Sequence, residues 1–390
     1  MTPTVGIVGG GQLARMTHQA AISLGVRTVV LCPEPDAPAV VAGALHVSGH
    51  PESFEALVTL AEQVDVVTVE HEHTPLAHLE RLAHLGHRVA PGAQAAGLGQ
   101  DKVEARRVLS QAGIATAPWI LSSDGGAIAD FGAVHGWPLV LKAPTGGYDG
   151  RGVWILEPDE VAAVVGDGTR PFLVEPHLPF THELSVLVVR TLSSRSGAAE
   201  VVAYPPFETV QRDGQCVEVH TPATVPPQVA AQARTLAVMI AELVELVGTM
   251  AVELFVVPDG AVPGGHRLLL NELAVRPHNS GHLTIEACTT SQFENHLRAV
   301  LGWPLGATDL RVGAASMCNI VGHLDGSDPF DHLPRALVIP GASVHHYCKS
   351  ARPGRKLGHV TATAPGLEEA KSVARRAVGA LTPQADRSAS

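Results

Sequence analysis

The chain has 390 residues, of which 38 are acidic and 27 are basic, and its formal net charge at pH 7 is −11. This length predicts two or three domains that share a cleft, and a hydrophobic content of 45% is sufficient for buried cores. The acidic balance argues against a general affinity for nucleic acid or anionic lipid. An anionic substrate therefore requires a local cluster of Arg and Lys.

The five cysteines are scattered and form no CxxC pair, which favours reduced thiols over a disulfide framework or a zinc site. The first residues lack the basic and apolar segments of a secretion signal. The apolar run at 238–247 is interrupted by Glu242 and Glu245, so we expect no membrane span. These features predict a cytoplasmic protein.

The N-terminal residues 4–35 predict a strand, a glycine turn, an amphipathic helix ending near Gly25, and a second strand. Residues 64–70 add another strand, so about the first 96 residues predict a small parallel α/β domain. The turn at 9–14 fits G-x-G-x-x-A, and Glu34 or Asp36 could bind a ribose, which keeps an NAD-dependent dehydrogenase open. Glycines at this turn also serve close packing of strand and helix.

The cluster at 70–73, Glu-His-Glu-His, ends the strand at 64–70. Alternation in an extended segment places the two histidines on one side and the two glutamates on the other. No more than two of these side chains could then share a metal ion. A polar strand end that faces a cleft is the simpler interpretation.

The rest of the chain predicts further strands and helices. Helices are expected at 100–113, at 226–248 between Pro226 and Gly248, and at 367–381. Strands are expected at 137–142, 152–156, 171–178, 183–190, 200–211, 248–257, 266–275, 337–349 and 358–364. Residues 383–390 predict a frayed tail.

A glycine-rich loop follows the strand that ends in Lys142, and it reads APTGGYDGRG over 143–152. Its glycines allow backbone N–H groups to cover phosphates, although the loop is not a Walker A motif. A flexible hairpin loop is the alternative interpretation of the same glycines.

Two glutamates interrupt strongly apolar strands that flank one turn-rich connection. An antiparallel hairpin over 248–275 brings Glu253 close to Glu272, and burying two like charges together is costly. A divalent cation removes that cost, and Mg²⁺ prefers carboxylate oxygens, with Asn271 as a further oxygen donor. An exposed edge strand is the alternative.

Three further segments suit nucleotide or phosphate recognition. The strand end at Glu175-Pro176-His177-Leu178, with Glu183, suits an adenine and its ribose. The segments 276–282 (RPHNSGH) and 349–356 (KSARPGRK) could grip the phosphate of a second substrate, since guanidinium groups match phosphate oxygens. A solvated basic turn is the alternative for the second of these.

Five motifs in order resemble the ATP-grasp family of 5-(carboxyamino)imidazole ribonucleotide synthases. They are GGGQLARM at 9–16, QDK at 100–102, K-x-x-x-GGYDGRG at 142–152, NELAVRPHNSGH at 271–282 and RPGRKLGH at 352–359. The resemblance implies a mixed α/β and α+β chain with an ATP-grasp fold, an N-terminal Rossmann-like (pre-ATP-grasp) domain and a small C-terminal domain. The expected limits are 1–96, 97–325 (subdomains about 110–175 and 180–325) and 326–382.

The resemblance also implies an activity: carboxylation of aminoimidazole ribonucleotide with ATP and bicarbonate through carboxyphosphate, in a Mg²⁺-dependent homodimer. Predicted ATP contacts are Lys102, Lys142, the lid (Gly147, Tyr148, Asp149, Gly150, Arg151, Gly152, Val153), Glu175, Pro176, His177, Leu178, Glu183, Gln211, Asn271 and Glu272. Glu253 and Glu272 are predicted to carry Mg²⁺. Predicted contacts of the second substrate are Gln12, Leu13, Arg276, His278, Asn279, Ser280, Lys349, Arg352, Arg355 and Lys356. Predicted catalytic residues are Lys142, Tyr148, Asp149, Arg151 and His278.

The sequence departs from the family pattern at several positions. His71 and His73 replace a phenylalanine and an asparagine, and Thr209 replaces an asparagine, which leaves the surroundings of Glu70 and Gln211 open. A relative that uses formate and glycinamide ribonucleotide is the closest alternative function. The NAD-dependent dehydrogenase is the less favoured one, because it leaves the paired strand glutamates unexplained.

Overall fold

Three β-sheets organise the chain. The structure is a computed structural model, and it describes residues 2–147, 152–193, 196–262 and 264–382. Four residues of the predicted lid lie outside the described residues: Tyr148, Asp149, Gly150 and Arg151. The predicted frayed tail also lies outside them.

The N-terminal sheet is parallel, with the strand order β3-β2-β1-β4. Its strands are β1 (Thr4–Val8), β2 (Arg27–Cys32), β3 (Leu45–Ser48) and β4 (Val66–Val69). Its helices are α1 (Gln12–Leu24), α2 (Pro38–Val41), α3 (Phe54–Ala61), α4 (Leu76–His84) and α5 (Ala93–Gln100). Gly25 ends α1 with a φ of 66°, which a residue with a side chain rarely adopts. The predicted parallel α/β unit is confirmed.

The second sheet is antiparallel, with the order β5-β8-β6-β7. Its elements are α6 (Lys102–Gln111), β5 (Ile120–Ser122), α7 (Gly125–His135), β6 (Leu139–Lys142), β7 (Val153–Leu156), α8 (Val161–Val165) and β8 (Phe172–Pro176). The glycine-rich loop joins β6 to β7, and Lys142 lies opposite Val153. The amide of Ala143 donates to the carbonyl of Gly152 at 2.7 Å, so the base of this loop is closed by a hydrogen bond.

The third sheet has the order β14-β13-β9-β11-β12-β15-β17-β16, with β10 beside β9. Its first strands are β9 (His182–Leu192), β10 (Ala199–Ala203), β11 (Phe207–Arg212), β12 (Gln215–Thr221), β13 (Gly248–Pro258) and β14 (His266–Ala274). Its C-terminal strands are β15 (Ala314–Val321), β16 (Ala342–His346) and β17 (Lys356–Ala364). The helices are α9 (Pro227–Leu243), α10 (Thr284–Ala287), α11 (Gln292–Leu301), α12 (Leu333–Leu337) and α13 (Leu367–Gly379).

Two features of this third sheet differ from the sequence predictions. Helix α9 ends at Leu243 and not at Gly248, because Glu245 adopts a positive φ of 49° and β13 already begins at Gly248. Strands β12 and β15 were not predicted, and β15 pairs with both β12 and β17. The C-terminal strands therefore extend the third sheet and do not form a sheet of their own.

A small apolar core joins the N-terminal and C-terminal regions. Leu13 and Met16 of α1 pack with Phe293 of α11 and Tyr347, and all four side chains are buried. These contacts fix the start of α1 against the segment that carries the basic residues 349–356. No described helix combines the length and the apolar character that a membrane span requires.

Prediction: Tyr204→Phe destabilises the protein. The buried Tyr204 hydroxyl donates to the carbonyl of Thr290 and accepts from the amide of Asn295, each at 2.9 Å. Its loss leaves buried groups unpaired and should lower the free energy of unfolding by about 1–3 kcal/mol. Urea unfolding measures the change. Thr235→Ala, which removes an exposed helix hydroxyl, should change the free energy by less than about 0.5 kcal/mol; equal effects of the two variants would contradict the prediction.

Candidate active site

The two strand glutamates lie opposite each other. Strands β13 and β14 pair antiparallel with Glu253 opposite Glu272, so the predicted hairpin is confirmed. The register then steps to Leu254 opposite Leu270, which makes Asn271 the extra residue of a β-bulge. A bulge changes the direction of side chains. It explains how the neighbours Asn271 and Glu272 both reach lysines of the cleft, although adjacent strand residues normally face opposite sides.

Two lysines from other elements contact this pair of residues. The ammonium of Lys142, at the end of β6, donates to the amide oxygen of Asn271 at 2.9 Å. The ammonium of Lys102, at the start of α6, lies 3.3 Å from a carboxylate oxygen of Glu272. Asp101 caps α6 by accepting from the amides of Val103 and Glu104, which fixes the position of Lys102. In the motif QDK, Asp101 thus caps the helix and Lys102 supplies a cation beside Glu272.

The two glutamates are electrostatically unequal. Burial and repulsion by Glu272 and Glu183 raise the pKa of Glu253 to about 8, although Lys356 and Arg276 act in the opposite direction. Burial also acts to raise the pKa of Glu272, but Lys102 and Lys142 lower it below its ordinary value. Glu253 is therefore the carboxyl group of the pair that is protonated more readily.

Glu175 occupies a different environment from the one predicted. Its side chain is 4% exposed, and its two oxygens lie 2.7 Å from Arg106 and 2.7 Å from Lys142. Burial acts to raise its pKa, but Lys142 and Arg106 lower it to about 2. Both oxygens are thus engaged within the protein, and a contact with ribose stays a prediction. Sequence reasoning missed Arg106, whose only signal was its place one helical turn after Lys102.

The remaining predicted nucleotide contacts lie around the same cleft. The chain leaves β8 at Pro176, and the amide of His177 donates to the carbonyl of Pro138 at 3.0 Å before the half-buried Leu178. Glu183 of β9 accepts a hydrogen bond from Gln211 of β11, and burial raises its pKa. Among the described lid residues, Gly147 and Gly152 are half-buried, and Val153 begins β7.

The segment 276–282 is held by internal contacts. Arg276 forms an ion pair with Glu72, with Nε 2.7 Å from Oε1. His278 Nδ1 lies 2.9 Å from the Ser280 hydroxyl, and His278 Nε2 lies 3.6 Å from a Glu253 oxygen. Burial, with Arg276 and Lys356 nearby, holds the pKa of His278 well below its ordinary value, so the imidazole is neutral.

The next two residues of this segment anchor it to neighbouring strands. Asn279 and Asn319 exchange two amide hydrogen bonds of 2.9 Å, and the Ser280 and Ser185 hydroxyls lie 2.6 Å apart. These side chains fix the loop that carries Arg276 and His278. Their predicted contacts with the second substrate stay a prediction.

The basic segment 349–356 lies near the start of α1 at one end and near Glu253 at the other. Lys349 donates to the side-chain oxygen of Gln12 at the start of α1. Arg355 donates to Ser350, and its neighbours include Arg352 and Glu34, while Arg352 is exposed. The buried Lys356 acts electrostatically on Glu253 and His278. One residue of each predicted phosphate segment, His278 and Lys356, therefore lies near Glu253. The Leu13 side chain is buried in the small core with Met16, Phe293 and Tyr347. Only its backbone is therefore left for the predicted contact with the second substrate.

The glycine turn after β1 has an internal partner. The Glu70 carboxylate accepts hydrogen bonds from the amides of Gly11 and Ala14, the latter at 2.8 Å. A Cβ on Gly9, whose φ is 111°, would lie 2.4 Å from Glu70 Cγ. The helix N-terminus that a pyrophosphate would need is thus occupied by a carboxylate of the chain itself. The NAD-dependent alternative loses its main support.

The histidines beside Glu70 lie next to each other, with the ring centroids of His71 and His73 5.0 Å apart. Over the parts of the chain that are described, no group of three His, Cys, Asp or Glu side chains is arranged to hold a metal ion. The role of these two histidines is not explained by the contacts around them.

Comparisons with known proteins agree with this architecture. Family models match as a ribonucleotide synthetase preATP-grasp domain at 1–100, an ATP-grasp domain at 107–293 and a phosphoribosylaminoimidazole carboxylase C-terminal domain at 315–373. The predicted fold class is confirmed. The domain limits given above stay a prediction.

Relatives and solved structures cover nearly the whole chain. The N5-carboxyaminoimidazole ribonucleotide synthase of Mycobacterium bovis is 43% identical over 92% of this chain and 83% of its own length. The carboxyaminoimidazole ribonucleotide synthase of Aspergillus clavatus complexed with ATP is 36% identical, with a TM-score of 0.87 and coverage of 97% and 98%. The same fungal enzyme with ADP and 5-aminoimidazole ribonucleotide has 35% identity, a TM-score of 0.86 and the same coverage. The chain belongs to the N5-carboxyaminoimidazole ribonucleotide synthase family of ATP-grasp enzymes.

Proposed function

We propose that this chain is the ADP-forming ligase that carboxylates 5-aminoimidazole ribonucleotide in purine biosynthesis. It uses ATP as the phosphate donor to join bicarbonate to the exocyclic amine. The products are 5-(carboxyamino)imidazole ribonucleotide, ADP and phosphate. Family membership supports this reaction, and so do the similar structures of carboxyaminoimidazole ribonucleotide synthases with ATP, or with ADP and 5-aminoimidazole ribonucleotide. The relatives' names favour this reaction over the formate-dependent alternative.

One observation carries the proposal: two lysines and two glutamates from distant segments meet in one cleft. Lys102 begins α6, Lys142 ends β6, and Glu253 and Glu272 face each other on β13 and β14. Lysines placed here suit the phosphates of ATP, because they stabilise charge on the transferring group by position alone.

The pair Glu253 and Glu272 fits Mg²⁺. Its oxygens are the hard donors that Mg²⁺ prefers, and the repulsion that raises the pKa of Glu253 is the cost a divalent cation would remove. Both carboxylates would hold the ion, with the amide oxygen of Asn271 beside them. When bound, the cation would neutralise charge on the phosphates of the nucleotide.

The chain's own groups suit the two chemical steps. In the first, a bicarbonate oxygen attacks the γ-phosphorus, the bond to ADP breaks, and carboxyphosphate forms beside Lys142. In the second, the amine attacks the carboxyl carbon, phosphate leaves, and the amine loses a proton. His278 can accept that proton, because its low pKa keeps the imidazole neutral. We propose that the lid that joins β6 to β7 excludes water from carboxyphosphate, as the family resemblance implies.

The segment 349–356 and Arg276 are the proposed cations for the ribonucleotide phosphate. Lys349 donates to Gln12 at the start of α1, and Arg355 lies near Arg352 and Glu34. We further propose that the chain acts as a homodimer in the cytoplasm, which the resemblance implies. The five cysteines are free thiols, as such a location requires.

Prediction: with ATP, Mg²⁺ and bicarbonate, the protein forms ADP only when 5-aminoimidazole ribonucleotide is added. A coupled ADP-release assay measures the rate, and omission of the ribonucleotide should largely abolish it. Glycinamide ribonucleotide with formate is the control for the alternative function. ADP formation that is indifferent to aminoimidazole ribonucleotide would remove this function and leave the fold intact.

Prediction: Glu272→Ala lowers kcat/KM by about 100-fold to 1,000-fold, because it removes a ligand of the proposed cation and the partner of Lys102. The side chain is 39% exposed, so the melting temperature should hardly change. Glu62→Ala, at an exposed position after α3, serves as the matched control and should keep full activity. Wild-type activity in Glu272→Ala would contradict the proposed site.

Prediction: without nucleotide and metal, wild type loses stability relative to Glu253→Gln as the pH rises from 4.5 to about 8. The raised pKa means that the folded state binds a proton that the unfolded state releases in this range, so stability falls with rising pH. Thermal melts of both proteins across this range measure the difference.

The same melts can test the proposed cation. Mg²⁺ requires the ionised carboxylate, so MgCl₂ with a non-hydrolysable ATP analogue should stabilise wild type more at pH 8 than at pH 6. A stability difference between wild type and Glu253→Gln that does not vary with pH would count against the raised pKa.

A further inference from the structure

Arg106 is an unusual residue for the interior of the protein. It lies on α6 four residues after Lys102, and it is only 2% exposed. Burying a guanidinium group is costly unless it is paired and hydrogen-bonded. Its Nε donates to a Glu175 oxygen at 2.7 Å, so Glu175 supplies that pairing. By contrast, the adjacent Arg107 forms an ion pair with Glu104 at the surface, and the Arg107 side chain is 55% exposed.

Glu175 connects Arg106 to the cleft. Its second oxygen lies 2.7 Å from the Lys142 ammonium, so one buried carboxylate is shared between two cations. Without Arg106, Lys142 and Glu175 would form a neutral pair. With Arg106, the three groups together carry one net positive charge.

The same arrangement fixes the direction of the Lys142 ammonium. An ammonium carries three N–H donors. Two acceptors, Glu175 at 2.7 Å and Asn271 at 2.9 Å, lie on different sheets and hold this group between them. Arg106 donates to the other oxygen of this carboxylate and so helps to fix its position.

We propose that Arg106 is a positioning residue for ATP, which acts through Glu175 to orient Lys142 and to keep a positive charge on that side of the cleft. The inference rests on the proposed function of Lys142 as a contact of the ATP phosphates. Arg106 itself does not touch the nucleotide. Substitution of Arg106 should therefore weaken the binding of ATP and leave the binding of the second substrate nearly unchanged.

The test uses the full chain with four variants: Arg106→Met, Arg106→Lys, the double variant Arg106→Met/Glu175→Gln, and Arg107→Met as the matched control on the same helix. Calorimetry measures the Kd of a non-hydrolysable ATP analogue, and the ADP-release assay gives kcat and both KM values. Arg106→Met should raise the Kd and the KM for ATP about 10-fold or more, the loss expected when one charge of a buried network is removed. The KM for aminoimidazole ribonucleotide should change less than about 2-fold.

Two variants show whether Arg106→Met weakens ATP binding through the lost charge or through the lost packing of the side chain. Arg106→Lys should recover part of the ATP affinity. The double variant should bind ATP more tightly than Arg106→Met, because loss of the carboxylate charge restores the net positive charge, but less tightly than wild type, because the carboxylate that orients Lys142 is also gone. Arg107→Met should match wild type. If Arg106→Met does not fold, the double variant decides, because it buries no unpaired carboxylate.

Two outcomes overturn the inference: wild-type ATP affinity in Arg106→Met, or a folded double variant that binds ATP no better than a tenfold-weakened single variant. The proposed function fails separately, when wild type binds the analogue but forms no ADP in response to aminoimidazole ribonucleotide.

Discussion

Two carboxylates, Glu253 and Glu272, face each other on strands whose other residues are mainly apolar, and the repulsion between them constrains the rest of the cleft. Burial and this repulsion raise the pKa of Glu253 to about 8, whereas Lys102 and Lys142 lower the pKa of Glu272. Ionisation of both carboxylates together is therefore unfavourable in the protein alone. A Mg²⁺ ion of the kind proposed above would remove this cost by adding positive charge between the two carboxylates.

The cations that balance this cleft come from elements that are separate in sequence. Helix α6 contributes Lys102 and Arg106, and β6 contributes Lys142, while the acids come from β8, β13 and β14. The pair of Lys142 with Glu175 lies within the second sheet, whereas the contact of Lys142 with Asn271 and the pair of Lys102 with Glu272 reach the third sheet. A change in the relative position of the two sheets would alter the orientation of Lys142, because its partners Glu175 and Asn271 lie on different sheets.

The sequence was sufficient for contacts that follow from strand pairing. The hairpin at 248–275 has a short connection and a strict apolar pattern, and these fix Glu253 opposite Glu272. Two features could not be predicted. The bulge at Asn271 depends on a register step that leaves no compositional signal, and Arg106 resembles any arginine of an amphipathic helix until its partner on β8 is placed. Strand β15 was missed because its role, joining β12 to β17, exists only in the assembled sheet.

The glycine turn after β1 shows why a local motif does not determine a ligand. Its sequence fits a pyrophosphate-binding turn, in which glycines at the start of a helix allow the backbone amides to bind a phosphate. Here Glu70, at the end of β4, accepts from those amides, and the absence of a Cβ at Gly9 makes room for its side chain. The positive end of α1 therefore stabilises a carboxylate of the chain itself. The first residue of α1, Gln12, contacts Lys349 of the C-terminal region, so the turn connects the N-terminal and C-terminal regions, and its amides at Gly11 and Ala14 are already bound by Glu70.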